Sequence, residues 1–158
     1  MAQQRVVVVS LYGNPLHRGH VEYFRRAKEF AGEGGLVYAI VNTDHQAILK
    51  KGYSFVPEDD RLAIIGAIRY IDKAFLSIDT DRTVCKTLEW IIEQESMKPT
   101  HFANGGDVTP DAPCPEEVVC RKHNIELVYG LGDKVQSSTW IIENSIATAY
   151  EKTKGKTN

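Results

Sequence analysis

A chain of 158 residues with 42% hydrophobic and 25% charged side chains carries enough apolar material for one core of its own, so a single domain over residues 1–150 with a polar tail at 151–158 is expected. The net charge is −2 and the Lys and Arg residues are scattered, which excludes a broad cationic surface for nucleic acid or anionic lipid. Any phosphate must then be bound locally. Cys85, Cys114 and Cys120 form no CxxC pair, the apolar runs are too short for a bilayer, and Met1 to Arg5 lack a signal-peptide pattern, so a cytoplasmic protein without membrane partners is expected.

Val6 to Ser10 is an unbroken β-branched run, the pattern of a strand buried on both faces at the centre of a parallel sheet. After the Gly13-Asn14-Pro15 turn, Val21, Phe24, Ala27 and Ala31 recur at helical spacing, and Gly32 to Gly35 end that helix. Leu36 to Val41 reads as the second strand and Asn42 to Phe55 as a polar loop carrying two adjacent lysines. Pro57 and the acids 58–60 open a second helix with Leu62, Ile65 and Ile68 as its apolar stripe. Lys73 to Ile78 is a third strand. Asp81 or Thr83 then caps a helix bearing Val84, Leu88, Ile91 and Ile92, followed by a short fourth strand from Thr100 to Ala103. Glu116 to His123 predicts a short helix, Ile125 to Tyr129 a fifth strand, and Ser137 to Tyr150 a last helix opened by three hydroxyl residues. Strands alternating with helices throughout predict an α/β fold, a Rossmann-like doubly wound five-stranded parallel sheet with helices on both faces. Ligands in such sheets lie beyond the carboxyl ends of the strands.

The loop after the first strand contains His17-Arg18-Gly19-His20, two histidines three apart where a helix begins, with a glycine between them that admits close approach of a ligand. Ser137-Ser138-Thr139 offers hydroxyls and unpaired N–H groups at another helix start, suited to phosphate. Asn104-Gly105-Gly106-Asp107 follows the fourth strand, where glycines let backbone approach a flat base and an aspartate can accept from ribose hydroxyls. The glycine cluster 32–35 follows a helix instead of opening one, so no dinucleotide fingerprint is present. Cys114, Cys120 and His123 are too few for a zinc site, and no metal-ligating residues are assigned. Trp90 and Trp140 lie at helical positions expected to face the core, with Trp140 also placed to wall the site.

These segments, in this order, resemble the cytidylyltransferase-like nucleotidyltransferases, whose HxGH signature His17-Arg18-Gly19-His20 matches and whose Asp or Asn three residues earlier is Asn14 here. Leu11, Tyr12 and Gly13 depart from the small, hydroxyl and aromatic residues usual before that position. The resemblance implies nucleotide contacts from Leu11, Tyr12, Asn14, Gly19, Asn104, Gly105, Gly106, Asp107, Ser137, Ser138 and Thr139, and catalytic contacts from His17, His20 and one of Lys50 and Lys51. Asn42, Asp44 and Arg61 would lie on the acceptor side, although Asp44 can equally be a turn residue or helix cap. It further implies a homodimer and Mg2+ arriving with the nucleoside triphosphate. The expected reaction moves CMP or AMP from CTP or ATP, CTP being favoured by the short chain, onto a polyol phosphate, sugar 1-phosphate or alcohol phosphate, with release of pyrophosphate. A nucleotide-binding regulatory module that has lost turnover is the alternative.

Overall fold

The computed structural model describes residues 3–104, 111, 114–131 and 137–155, so Gly105, Gly106 and Asp107 lie outside the described residues. Five parallel strands, β1 (Val6–Leu11), β2 (Leu36–Val41), β3 (Lys73–Leu76), β4 (His101–Ala103) and β5 (Glu126–Val128), form one sheet in the order β3-β2-β1-β4-β5. The expected α/β sheet is therefore present, with β1 at its centre. Strand order reverses between β1 and β4, and the carboxyl ends of these two strands flank the place where this architecture leaves a crevice.

Burial on both sides explains the β-branched sequence of β1. Val7 and Val9 pack on one face with Phe24 and Ala27 of α1 (Arg18–Ala31) and Ile65 of α3 (Glu58–Gly66). Val6 and Val8 pack on the other with Leu88 and Ile91 of α4 (Cys85–Gln94) and with Val119 and Cys120 of α5 (Glu117–Lys122). At about 1.5–3 kcal/mol for each fully buried aliphatic or aromatic side chain, these two clusters supply most of the drive to fold.

Several expectations need correction. The stretch expected as a loop contains helix α2 (Asp44–Lys51), opened by a reciprocal capping box in which Thr43 Oγ1 accepts from Gln46 N–H at 3.1 Å and Gln46 Oε1 from Thr43 N–H at 3.0 Å. Thr43 is the cap, and Asp44 is the first helical residue. The work expected of Asp81 or Thr83 at α4 falls mainly to the buried Asp79, whose carboxylate accepts from the N–H of Lys86 at 2.8 Å and of Thr87 at 2.9 Å. The last helix, α6 (Ser138–Lys154), runs four residues past Tyr150. In α1 Phe24, Ala27 and Ala31 face inward as expected, but Tyr23, whose hydroxyl donates to the Ala103 carbonyl, joins them in place of Val21, which is 43% exposed. Trp90 and Trp140, expected in the core, are 41% and 49% exposed. Among the described residues no helix is long and apolar enough to cross a membrane.

Candidate active site at the carboxyl end of the central strand

The chain leaves β1 through Tyr12, Gly13, Asn14 and Pro15 and enters α1 at His17. Gly13 has φ +60°, a left-handed backbone conformation that favours glycine. Asn14 folds back into the protein. Its Oδ1 accepts from the N–H groups of Phe55 (3.0 Å) and Val56 (2.6 Å), and its Nδ2 donates to Ser54 Oγ at 2.9 Å. Leu11 packs in the core.

His17 and His20 meet at the start of α1 with ring centroids 4.0 Å apart. His17 is the N-cap. Its Nδ1 accepts from Gly19 N–H at 3.1 Å, and His20 Nδ1 accepts from His17 N–H at 3.2 Å, a capping box made of two imidazoles. A ring nitrogen that accepts from a backbone N–H carries no proton, so each neutral imidazole holds its hydrogen on Nε2. Burial, the neighbouring His17 and Lys51 push the His20 pKa down to about 3, and burial followed by Lys51 lowers that of His17. At neutral pH the pair therefore presents two uncharged Nε2–H donors held by main-chain hydrogen bonds.

Two other elements reach this pair. Lys51, at the end of α2, bonds Thr139 Oγ1 at 3.0 Å and lies close enough to both imidazoles to disfavour their protonation. Ser138 Oγ donates to the Pro15 carbonyl at 2.7 Å, which ties the N-terminus of α6 to the histidine loop, and Ser137 Oγ caps α6 by accepting from Trp140 N–H at 3.5 Å. The positive end of the helix dipole, three hydroxyl residues, one ammonium and two imidazole donors thus gather in one place, a combination that favours phosphate oxygens.

The residues expected on the acceptor side form the frame. Arg61 is fully buried. Its Nε donates to the Val56 carbonyl at 2.8 Å, and its Nη1 to the carbonyls of Tyr12 and Asn42 at 2.7 Å each. Its Nη2 meets Asp44 Oδ1 at 2.9 Å. One guanidinium thereby joins the ends of β1 and β2 to the starts of α2 and α3. Burial acts against the Asp44 carboxylate, but hydrogen bonds from Ser54, Arg61 and the Glu58 N–H outweigh it and hold its pKa below the usual value. Asn42 is buried, its Nδ2 donating to Gln46 Oε1 at 3.1 Å. These contacts give Arg61 and Asn42 a positioning role. Asn104 directly follows β4, its N–H donating to the Val128 carbonyl at 2.7 Å and its Nδ2 pointing at Cys114 Sγ, 4.0 Å away.

Lys50 separates from Lys51, its Nζ standing 4.4 Å from the centroid of the Tyr12 ring. Burial raises the pKa of Tyr12, and the charge of Arg82, a residue the sequence did not single out, works against that rise. The signal for Arg82 was position, since it lies in the loop that leaves the carboxyl end of β3. Among the described residues no three His, Cys, Asp or Glu side chains converge to hold a metal ion. His123, of the trio considered for zinc, has Nε2 2.7 Å from Glu89 Oε2.

Residues 14–149 match the family described as cytidylyltransferase-like. The chain is 36% identical over 96 residues to an FAD synthase of Methanobrevibacter smithii, covering 61% of this chain and 58% of that protein. It is 29% identical over 139 residues to the bifunctional protein HldE of Geotalea uraniireducens, 87% of this chain but 24% of that protein. The chain thus spans about half the length of the FAD synthases it matches, 46% for that of Methanopyrus kandleri. A lipopolysaccharide core biosynthesis protein of Thermoplasma volcanium superimposes with a TM-score of 0.60 at 22% identity, covering 79% of this chain and 94% of that one, a likeness of fold. The match, from the Asn14 turn into α6, includes the histidine loop and the hydroxyl-rich helix start, and the chain belongs to the cytidylyltransferase-like nucleotidyltransferase family.

Proposed function

We propose that the chain transfers a nucleoside monophosphate unit from a nucleoside triphosphate to an acceptor phosphate. An acceptor phosphate oxygen attacks the α-phosphorus, the bond from that phosphorus to the oxygen bridging to the β-phosphate breaks, and pyrophosphate leaves with the electron pair. No protein nucleophile is required, so the residues work by positioning and by stabilising the negative charge that spreads in the transition state.

The observation that carries this reading is the tautomer-locked pair. Two neutral Nε2–H donors, each fixed by a main-chain hydrogen bond to Nδ1, can bond α-phosphate oxygens without reorganising as charge builds. Lys51, Ser138 and Thr139 take the β- and γ-phosphates at the start of α6. Magnesium would arrive with the nucleoside triphosphate and would offset the negative charge of its phosphates.

For the base, the relatives named FAD synthase give ATP at least the standing of CTP, in place of the preference for CTP formed from chain length. Joining a flavin phosphate to make FAD requires an adenylyl group, so flavin mononucleotide joins the polyol, sugar and alcohol phosphates as an acceptor to be tested. The experiment is release of pyrophosphate from ATP or CTP with each acceptor in turn, for the unaltered chain and for His20→Ala. Turnover with one pair, lost by about a hundredfold or more in the variant, supports the transferase. Nucleotide binding with no turnover on any acceptor supports a binding module instead.

A further inference from the structure

Helix α6 outruns the body on which it starts. Ile142 is buried, yet every residue from Glu143 to Gly155 is exposed. That stretch is a weak helix in its own right. Ser145, Thr148 and Thr153 donate their hydroxyls back to the carbonyls of Ile141, Asn144 and Ala149 at 2.8, 2.9 and 3.0 Å, contacts that slightly destabilise a helix, and Ile146, Thr148 and Thr153 are β-branched. A helix shorter than about 12–15 residues with no packed face is marginal in water. The apolar residues nevertheless keep to one stripe. Ile142, Ile146, Ala149, Tyr150 and Thr153 recur at i, i+4, i+7, i+8 and i+11, the spacing of a face that packs, and Ile146 and Tyr150 on it are 65% and 64% exposed.

We propose that this stripe is the docking surface for a second copy of the chain, the two α6 helices pairing antiparallel about a two-fold axis. The charges beside the stripe select both the occupant and the direction. Glu143 and Lys154 stand eleven residues apart, three turns with about 20° left over, so both flank the stripe on the same side. A two-fold axis perpendicular to the helices, passing between residues 148 and 149, sets the Glu143 of each copy opposite the Lys154 of the other. It also lays each Ile146 beside the Tyr150 of the second copy. A parallel pair would instead oppose Glu143 to Glu143 and Lys154 to Lys154, which like charges resist.

The exposed stretch is about 18 Å long, so the pair buries less than an interface of standard size, and a Kd on the order of 10–100 µM is expected. The first turn of α6, where Ser138 Oγ donates to the Pro15 carbonyl and Lys51 meets Thr139, lies outside the paired stretch. Pairing therefore leaves the phosphate-binding end of the helix uncovered, and it is read without turnover, whatever reaction the chain carries out.

Sedimentation velocity of the full chain from about 1 µM to about 1 mM tests the pairing. The unaltered chain is expected to pass from monomer to dimer over that range, and Tyr150→Glu, a change at an exposed position, to stay monomeric with its Tm unchanged. Glu143→Lys and Lys154→Glu should each weaken association about tenfold, because each turns two attractive contacts into repulsive ones. Glu143→Lys combined with Lys154→Glu should restore it to within about twofold, since the exchanged charges again face their opposites. A chain that is monomeric at every concentration overturns the proposal and leaves the stripe to a different protein. A dimer that survives Tyr150→Glu overturns this surface, and single reversals that the combined variant does not repair overturn the antiparallel pairing.

Discussion

Replacing Arg61 by methionine keeps an unbranched, space-filling side chain and removes every donor. The carbonyls of Val56, Tyr12 and Asn42, now bonded at 2.8, 2.7 and 2.7 Å, would face a thioether where the fully buried guanidinium now stands. An orphaned buried acceptor costs about 1–3 kcal/mol, so these three at the low end already amount to about 3–4 kcal/mol. The Asp44 contact adds little, because that carboxylate is 33% exposed and keeps its bonds from Ser54 and the Glu58 N–H. Against a total stability of about 5–15 kcal/mol the loss is large. For a chain of this size each kcal/mol moves Tm by about 2–4 °C, so Arg61→Met is expected to lower Tm by about 10 °C, measured by circular dichroism melting. Arg61→Lys, with one ammonium in place of the fork, should recover only part of the loss. A Tm within about 3 °C of the unaltered protein for Arg61→Met would refute the reasoning, since water or relaxation would then be satisfying the three carbonyls.

The folded His20 pKa lies near 3 and an unfolded histidine near 6.5, so between these values the unfolded chain binds a proton that the folded site refuses, and stability falls as pH drops below about 6.5. Urea unfolding at pH 7 and pH 4.5 should show that loss reduced in His20→Gln, and an equal loss in both proteins would contradict it; nitrogen shifts of the imidazole should report protonated Nε2 and bare Nδ1 throughout pH 5–8. Asp79→Ala removes the acceptor for the N–H groups of Lys86 and Thr87 at the start of α4 and for the Thr87 hydroxyl, with an expected cost of about 2–3 kcal/mol in urea unfolding, where a change under about 0.5 kcal/mol would show that the helix is capped by other groups.

The parts of the molecule legible in the sequence are those whose cause is local. Val6 to Ser10 needs no distant partner to read as a central strand, because only burial on both faces tolerates such a run, and His17 and His20 share a helix start through a spacing of three. Helix α2 was legible in principle from Thr43 and Gln46, three apart, but its exposed Ile48, Leu49, Lys50 and Lys51 obscure the apolar stripe that marks a helix. Arg61, expected on the acceptor side, gives no sign in the sequence of its positioning role, because its four acceptors lie at the ends of elements far apart in sequence and only the assembled sheet brings them together. The separation of Lys50 from Lys51 is likewise invisible until α2 is known to be a helix, since a loop sets no angle between neighbours. Asp79 acts through the fold of the chain from β3 into α4, which no spacing rule announces.

Two neutral imidazoles acting at an α-phosphate are the centre of the proposed reaction. The direct measurement is magnesium-dependent pyrophosphate release from ATP and CTP in the presence of flavin mononucleotide and of polyol, sugar and alcohol phosphates, made on the unaltered chain, His17→Ala and His20→Ala. The account predicts turnover with one nucleotide and one acceptor, cut by about a hundredfold or more in each histidine variant with folding intact. Turnover that survives both substitutions, or a folded protein that binds nucleotide and releases no pyrophosphate with any acceptor, would contradict it.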